Sequence, residues 1–498
     1  MAEFIGGSGD DWFFGTAEND HVEGNGGDDT FFGGAGVDYL DGGSGTDTLD
    51  GGTGGDTYVF RAGDGVNTII DVAGPSEENV LQLLTPGLLL DSFALTFSGG
   101  FLQLQSKTTS DLIQMSGFDP NNVYGPHAIE TFISGSGFVM SYDSLVDYLG
   151  ITSTGTAGAD ILNGTNGFDH MTGGAGNDTL SGGVGGDDIT GGDGNDILAG
   201  GKGNDLLLGG AGNDTYRYNV GDGFDIINDT IAPGEGNVVQ FGAGILLDNL
   251  VLTFNTSDQA MQIRTGNAGD VIQLSNFNPS NAYGEHTVDT FQFADGSTLT
   301  YKDMIDWGFD ITGTAGADTL TGTNAGDLIK GLDGNDTLQS GAGDDALEGG
   351  AGADTLVGGT GVDWLFGGDG NDTYQFNRGD GQDIVMEGDA TPGNTDRLLF
   401  GNTINPLDLV LSRQANDLRV AIHGSADQVT IANWYGGPNN MAVVEDLQAG
   451  NGQHLLNTQV DQLTQAMASF TQQTGLTWDQ AIDQRPQEVQ TVLAASWQ

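Results

Sequence analysis

The chain repeats itself every nine residues, and that period constrains its fold more than any other feature. In GGDGNDILAGGKGNDLLLGGAGNDTY (191–216) an aspartate falls at Asp196, Asp205 and Asp214, and an apolar residue follows two places later at Leu198, Leu207 and Tyr216. In the same phase the run starts at Gly155 and puts Asp160, Asp169, Asp178, Asp187, Asp196, Asp205 and Asp214 at the sixth place of seven nonapeptides. A second such array starts at Gly313, with Asp318, Asp327, Asp336, Asp345, Asp354, Asp363 and Asp372. Another starts at Gly6, with Asp11, Asp20, Asp29, Asp38, Asp47 and Asp56. The eighth places are apolar in all three, from Phe13 to Tyr58, from Leu162 to Tyr216 and from Leu320 to Tyr374.

A unit of about nine residues cannot bury its own apolar side chain. Stacked units can, in a continuous thin core. The pattern G-G-x-G-x-D-x-U-x has a direct mechanical reading. Its glycines permit positive φ, so six residues make a tight turn with carbonyls pointing inward. The last three form a minimal strand with one inward side chain. Carbonyls and carboxylates are the only ligands such a turn offers. Six to eight oxygens in flexible geometry suit Ca²⁺, whereas Zn²⁺ would want His or Cys.

A longer period of 158 residues contains the short one. The arrays close on Tyr58, Tyr216 and Tyr374, followed by YVFRAGDGVNTIID, YRYNVGDGFDIIND and YQFNRGDGQDIVME. IQMSGFDPNNVYGPH (113–127) then answers IQLSNFNPSNAYGEH (272–286), and the third copy diverges to VTIANWYGGPNN (429–440). Alternating runs such as LVLTF and LQLQS read as short strands. The expected architecture is all-β. Three parallel β-rolls (1–60, 155–218, 313–376) alternate with β-rich segments (61–154, 219–312, 377–456), ahead of a helical tail (457–498). In that tail Val460, Leu463, Met467 and Phe470 share a helical face, and a second helix is expected from Trp478 toward LAASW at 493–497. Run backwards, the 158 period starts before residue 1, so a fragment or the C-terminal part of a longer protein is expected, with a naturally truncated first turn as the alternative.

Charge supports the cation. The 498 residues carry 70 acidic and 12 basic side chains, a formal charge of −58. Such an excess opposes compaction, and it argues against nucleic acid, which needs Lys and Arg clusters. There is no cysteine, hence no disulfide and no thiolate site. No apolar run is long enough for a transmembrane helix. The opening MAEFIGGSGDD lacks the basic and apolar regions of a secretory signal.

The nonapeptides resemble the RTX (repeats-in-toxin, haemolysin-type calcium-binding) family. The resemblance implies a parallel β-roll with Ca²⁺ between turns n and n+2 on one edge. It makes the twenty aspartates named above the ligands, on the order of 14 ions by stacking logic. It also implies export by type I secretion machinery to the outside of a bacterium, with the helical tail as the uncleaved signal. A pair of capping helices is the plainer reading of that tail. Several turns depart from the family pattern. Glu18, Asn25, Thr156, Thr165, Thr314, Thr323, Ala325, Leu332 and Ser340 stand in glycine places, which sets Asp20, Asp160, Asp169, Asp318 and Asp327 apart from the regular turns. Asp64, Asp222 and Asp380 of the GDG motifs either complete a last ion site or cap a turn.

No catalytic motif is present, and carboxylates are too evenly spread to single out an acid and a base. The expectation is therefore no enzyme within this chain, any catalytic domain lying outside it. His127 and His286 are equivalent in the long repeat and read as structural. Phe97, Phe118, Phe277, Trp434 and Tyr435 read as core, with a glycan platform as the alternative. The expected function is that of a module that folds on Ca²⁺ after export. A stand-alone surface or adhesin-type protein with a cell-surface or glycan partner is the alternative.

Overall fold

The computed structural model describes residues 2–71, 74, 77–86, 88–229, 235–255, 260–388, 393–436 and 444–498. Of the motif VTIANWYGGPNN, residues 437–440 lie outside these. The chain forms two compact units. One comprises 1–247, 265–274 and 287–298, and the other comprises 248–264, 275–286 and 299–498.

In the first unit alternate nonapeptides feed two facing sheets. Glu3–Ile5, His21–Glu23, Tyr39–Asp41 and Thr57–Phe60 stack in parallel on one face. Trp12–Phe14, Thr30–Ala35 and Gly45–Thr53 stack on the other. Neighbours are 18 residues apart in register, as Phe31↔Leu49 shows, so one coil of the roll is two nonapeptides. The eighth-place side chains Val22, Phe31, Leu40, Leu49 and Tyr58 meet between the sheets and are fully buried.

The β-rich segment continues this roll. Gly65–Ile69 adds to one sheet and Val80–Leu83 to the other. Leu112–Met115 and Thr131–Ile133 then stack on these two in parallel. The hairpin Phe93–Ser98/Phe101–Ser106 extends the first of these sheets antiparallel. Helix α1 (Tyr142–Leu149) follows Val139–Ser141 and ends on Gly150, whose φ of 63° suits glycine. Ile151–Thr154 pairs with both the hairpin and Asp169–Ala175, so the second array starts on the sheet of the first. That array and its exit strands Phe224–Ile227 and Val238–Phe241 repeat the plan.

The second unit carries the third array, between Phe309–Thr312 and Thr373–Phe376. Helix α2 (Tyr301–Ile305) precedes it, closed by a capping box of Thr300 and Asp303. Despite its divergent sequence the third copy keeps the plan. Gln382–Met386 pairs with Gln428–Ile431, and Arg397–Phe400 with Asp446–Gln448. After His454–Leu456, where the first copy has its eight-residue helix, α3 (Asn457–Thr474) runs for 18 residues. It packs on Leu409–Gln414, the hairpin strand whose first-copy counterpart carries the next array. Val460, Leu463 and Met467 are buried there, and Phe470 is partly so. The expected single second helix is two, α4 (Trp478–Gln484) and α5 (Pro486–Leu493). The break falls at Arg485, because a residue before proline is pushed out of the α region. Trp478, Val489, Leu493 and Trp497 join the same core. Among the described residues no helix is long and apolar enough to cross a membrane.

Candidate metal centre

After the first on each edge, every sixth-place aspartate is held by the turn before it on the same edge. Its Oδ1 accepts the backbone N–H of the aspartate 18 residues earlier. Along one edge of the second array Asp160, Asp178 and Asp196 donate to Asp178, Asp196 and Asp214, each at 2.8 Å. Along the other edge Asp169 and Asp187 donate to Asp187 and Asp205 at 3.0 and 2.7 Å. The first array runs Asp11 to Asp29 to Asp47 and Asp20 to Asp38 to Asp56. The third runs Asp318 to Asp336 to Asp354 to Asp372 and Asp327 to Asp345 to Asp363. All twenty therefore sit in six ladders. Asp11, Asp160 and Asp318, at the array starts, are half-buried, and the rest are buried.

The second oxygen separates two kinds of turn. Oδ2 of Asp29, Asp38, Asp47, Asp56, Asp178, Asp187, Asp196, Asp205, Asp214, Asp336, Asp345, Asp354 and Asp363 is buried with no hydrogen-bond partner. A buried carboxylate oxygen left so costs several kcal/mol unless a cation meets it. In the other kind a threonine at the second place closes the turn. Thr165 donates its N–H and its hydroxyl to Asp169 Oδ2 at 2.7 and 2.9 Å. Thr16, Thr156, Thr314 and Thr323 do the same for Asp20, Asp160, Asp318 and Asp327. These five are the aspartates that the sequence set apart.

The glycines explain why the orphaned oxygens can be served. Second-place Gly192 and fourth-place Gly194 have φ of 119° and 144°, conformations that L side chains rarely adopt. First-place Gly191 has no such φ, so its bareness serves another purpose. A Cβ there would lie 2.3 Å from Asp196 Oδ2 and 2.6 Å from the Gly209 carbonyl oxygen. At Gly24 the same two distances, to Asp29 Oδ2 and Gly42 O, are 2.1 and 2.3 Å. Carboxylate and carbonyl thus converge where a first-place side chain would stand, and a Cβ there would collide with both. The donor set is all oxygen and fits a hard cation.

Burial and like charge raise these carboxyls. Asp187 is pushed up to about 8 by burial, with Asp169 and Asp205 adding to the rise. Asp47, Asp56 and Asp363 reach about 7, chiefly through burial. Asp169 is also raised by burial, but the Thr165 N–H and hydroxyl hold it to about 6.

The array ends hold residues that the nine-residue count missed. Tyr58, Tyr216 and Tyr374 accept the N–H of Gly51, Gly209 and Gly367, and donate to Asp71, Asp229 and Glu387. The ladder gains one more rung, since Asp56, Asp214 and Asp372 donate to Asn79, Asn237 and Asp396. On the other edge Asp205 and Asp363 donate to Asp225 and Asp383 at 3.2 and 3.3 Å. Aligning the copies at 158 residues brings Asp71, Asp229 and Glu387 together, and Asn79 with Asn237, whereas Asp396 stands one place further on. Asp64, Asp222 and Asp380 cap turns, each accepting the N–H three residues back (Arg61, Asn219, Asn377) at 2.6 Å. His127 and His286 stack on Tyr142 and Tyr301 at 3.8 and 4.1 Å, a structural use. Phe118, Phe277 and Trp434 are buried, while Phe97 and Tyr435 are partly so.

The RTX calcium-binding nonapeptide repeat model matches residues 5–40, 32–58, 154–189, 182–216, 190–227, 312–347 and 348–383. A haemolysin-type calcium-binding protein related domain matches 249–303. No curated protein matches the chain. Among solved structures, the extracellular lipase LipA from Serratia marcescens is similar at 25% identity, over 49% of this chain and 37% of that one, with a TM-score of 0.20. The chain thus spans well under half of that lipase. With the nonapeptide matches on all three ladder-bearing arrays, the chain belongs to the RTX family of haemolysin-type calcium-binding repeat proteins.

Proposed function

We propose that this chain is a calcium-driven folding module of a protein exported by type I secretion machinery. The observation that carries this reading is the row of buried, unpartnered Oδ2 atoms, several of which converge with a carbonyl on a bare first-place glycine, as at Gly24, Gly33, Gly173, Gly182, Gly191, Gly331 and Gly349. Asp29, Asp38, Asp47, Asp56, Asp178, Asp187, Asp196, Asp205, Asp214, Asp336, Asp345, Asp354 and Asp363 are the principal ligands, with Asp372 completing its edge. Asp11, Asp20, Asp160, Asp169, Asp318 and Asp327 lend their backbone N–H groups to the ladders. About 14 ions follow if each pair of turns on one edge holds one. A bound Ca²⁺ supplies charge neutralisation and oxygen coordination.

In the cytosol Ca²⁺ is scarce and the carboxylates, part of a −58 excess, repel one another. The chain then stays open, as passage through a narrow channel requires. Outside, binding free energy becomes folding free energy. The tail α3–α5 acts both as the export signal and as the cover of the last hairpin. Any catalytic domain would lie outside this chain. Circular dichroism of the whole chain tests the reading. A largely disordered spectrum in EGTA should gain β signal on adding Ca²⁺ and not Mg²⁺, and full β structure in EGTA would sink it.

A further inference from the structure

The three copies close their arrays with the same geometry but different charges. In the first, Asn79 Nδ2 donates to Asp71 Oδ2 and to the Ala128 carbonyl, both at 3.0 Å. In the second, Asn237 Nδ2 donates to Asp229 Oδ2 at 3.0 Å and to the Thr287 carbonyl at 3.2 Å. The amide is a neutral bridge that supplies the hydrogen the carboxylate needs. In the third copy that position is Asp396, whose carboxyl has no hydrogen to give once ionised, and the carboxylate it faces is Glu387.

The outcome is a buried group of three acids. Carboxylate oxygens of Asp372, Glu387 and Asp396 lie within 4.8 Å of one another. Asp372 Oδ1 accepts the Asp354 N–H at 2.8 Å, and Asp396 Oδ1 accepts the Asp372 N–H at 2.9 Å. Asp396 Oδ2 accepts from Asn394 Nδ2 at 3.1 Å. One oxygen of Glu387 takes the Tyr374 hydroxyl. The other, Oε2, is buried with no hydrogen-bond partner, on a residue 9% exposed. Where the first two copies place an amide donor, the third has an acceptor and an orphaned oxygen. All the converging groups are oxygens, so a soft metal is disfavoured and a hard divalent cation is favoured.

We propose that Asp372, Glu387 and Asp396 form a divalent-cation site of their own. It is made of three side-chain carboxylates rather than one carboxylate and turn carbonyls, and only the third copy has it. The site takes a hard ion such as Ca²⁺ and locks the end of the third array to the segment beneath α3. Its charge replaces the Asn79 and Asn237 amide bridges.

The molecule supplies its own controls. Asp396→Asn restores the residue that two copies already use. Asp229→Glu with Asn237→Asp grafts the third-copy acids into the second. With Ca²⁺ alone as the probe, metal per folded chain is counted by atomic emission after gel filtration, and β signal is followed by circular dichroism. Asp396→Asn should keep the fold and lose one ion, and the graft should gain one. An unchanged count in Asp396→Asn overturns the site, because the acids are then neutralised by a proton. If Asp396→Asn fails to fold, the graft decides alone, and no added ion overturns the proposal. Failure of the calcium-module reading would look different, as a wild-type chain that binds no Ca²⁺ at all.

Discussion

Two adjacent turns on one edge of the second array show what decides whether a carboxylate needs a metal. Asp169 and Asp187 are both buried, and each accepts or donates along the same ladder. Asp169 has Thr165 beside it, and Thr165 gives Oδ2 two hydrogens. Asp187 has Gly183 at that place, with φ of 113° and no side chain, and its Oδ2 has nothing. The threonine turn closes its Oδ2 itself, although Oδ1 of Asp169, at the start of its edge, is buried with no hydrogen-bond partner. The glycine turn requires something cationic from outside. The exchange cannot be reversed freely, because a Cβ on Gly183 would fall 2.2 Å from the Thr165 carbonyl oxygen. Local closure and ion closure are therefore two backbone states, not two decorations of one state. Threonine turns open the second and third arrays (Thr156 and Thr165, Thr314 and Thr323), so each starts on coils whose Oδ2 atoms are served by their own turn.

The largest test of this contrast replaces calcium with protons. Burial raises Asp187 and Asp383 to about 8 and Asp47, Asp56 and Asp363 to about 7. A carboxyl with a raised folded pKa favours the fold fully below its ordinary value near 3.8. That contribution is lost as pH rises through the folded value. In calcium-stripped buffer the chain should therefore gain β signal as pH falls from about 8 to 5, and lose it again on return. Calcium must displace the same protons, so its midpoint should rise as pH falls through that window. Far-UV circular dichroism over a pH series checks both, and a stripped chain equally open at both ends of the range would break the comparison.

A charge-removing substitution at one turn of each kind comes next. Asp196→Asn keeps the size of a side chain whose Oδ2 is orphaned, but removes its charge. The calcium midpoint should rise about tenfold, equivalent to ~1.4 kcal/mol. Asp160→Asn alters a half-buried carboxylate already served by Thr156, and should shift the midpoint less than twofold. Titration by circular dichroism separates them, and equal shifts would erase the distinction. Gly191→Ala should behave like Asp196→Asn for a steric reason, since its Cβ occupies the space between Asp196 Oδ2 and the Gly209 carbonyl.

The arrays were legible because period, aspartate and apolar residue coincide in twenty turns, and because the core they build is local. Loss of turn glycines, to Glu18 at the third glycine place and to Thr156, Thr165, Thr314 and Thr323 at the second, also marked out Asp20, Asp160, Asp169, Asp318 and Asp327. What the sequence did not convey is that the replacing threonine is itself the hydrogen-bond donor. That depends on a backbone that leaves positive φ, whereas Asn25 and Leu332, in the same place, keep it at 72° and 80°. The segments were legible only as strands. Gly65–Ile69 pairs with Leu112–Met115 across an intervening hairpin, and no local pattern records such a partner. Three helices stand where two were expected because the break comes from Pro486 acting on Arg485. The closing residues Asn79, Asn237 and Asp396 lie 23 or 24 positions past the last ladder aspartate, outside the nine-residue count.

The smallest test isolates the hydroxyl. Thr165→Val keeps shape and β-branching but removes the Oγ1 hydrogen, leaving Asp169 Oδ2 with the N–H alone. One hydrogen bond to a charged, buried acceptor is worth about 1.5–3 kcal/mol. The hydroxyl also accepts the Gly167 N–H at 3.1 Å, so two bonds go with it, and stability in saturating calcium should fall by at least the low end of that range. Thr165→Ser restores the donor and should recover most of the loss. In saturating calcium the difference should also show in hydrogen exchange of residues 164–172, with the valine variant exchanging faster than wild type and the serine variant close to it. If all three exchange alike, threonine does not close the turn through its hydroxyl. The contrast with glycine would then rest on backbone conformation alone.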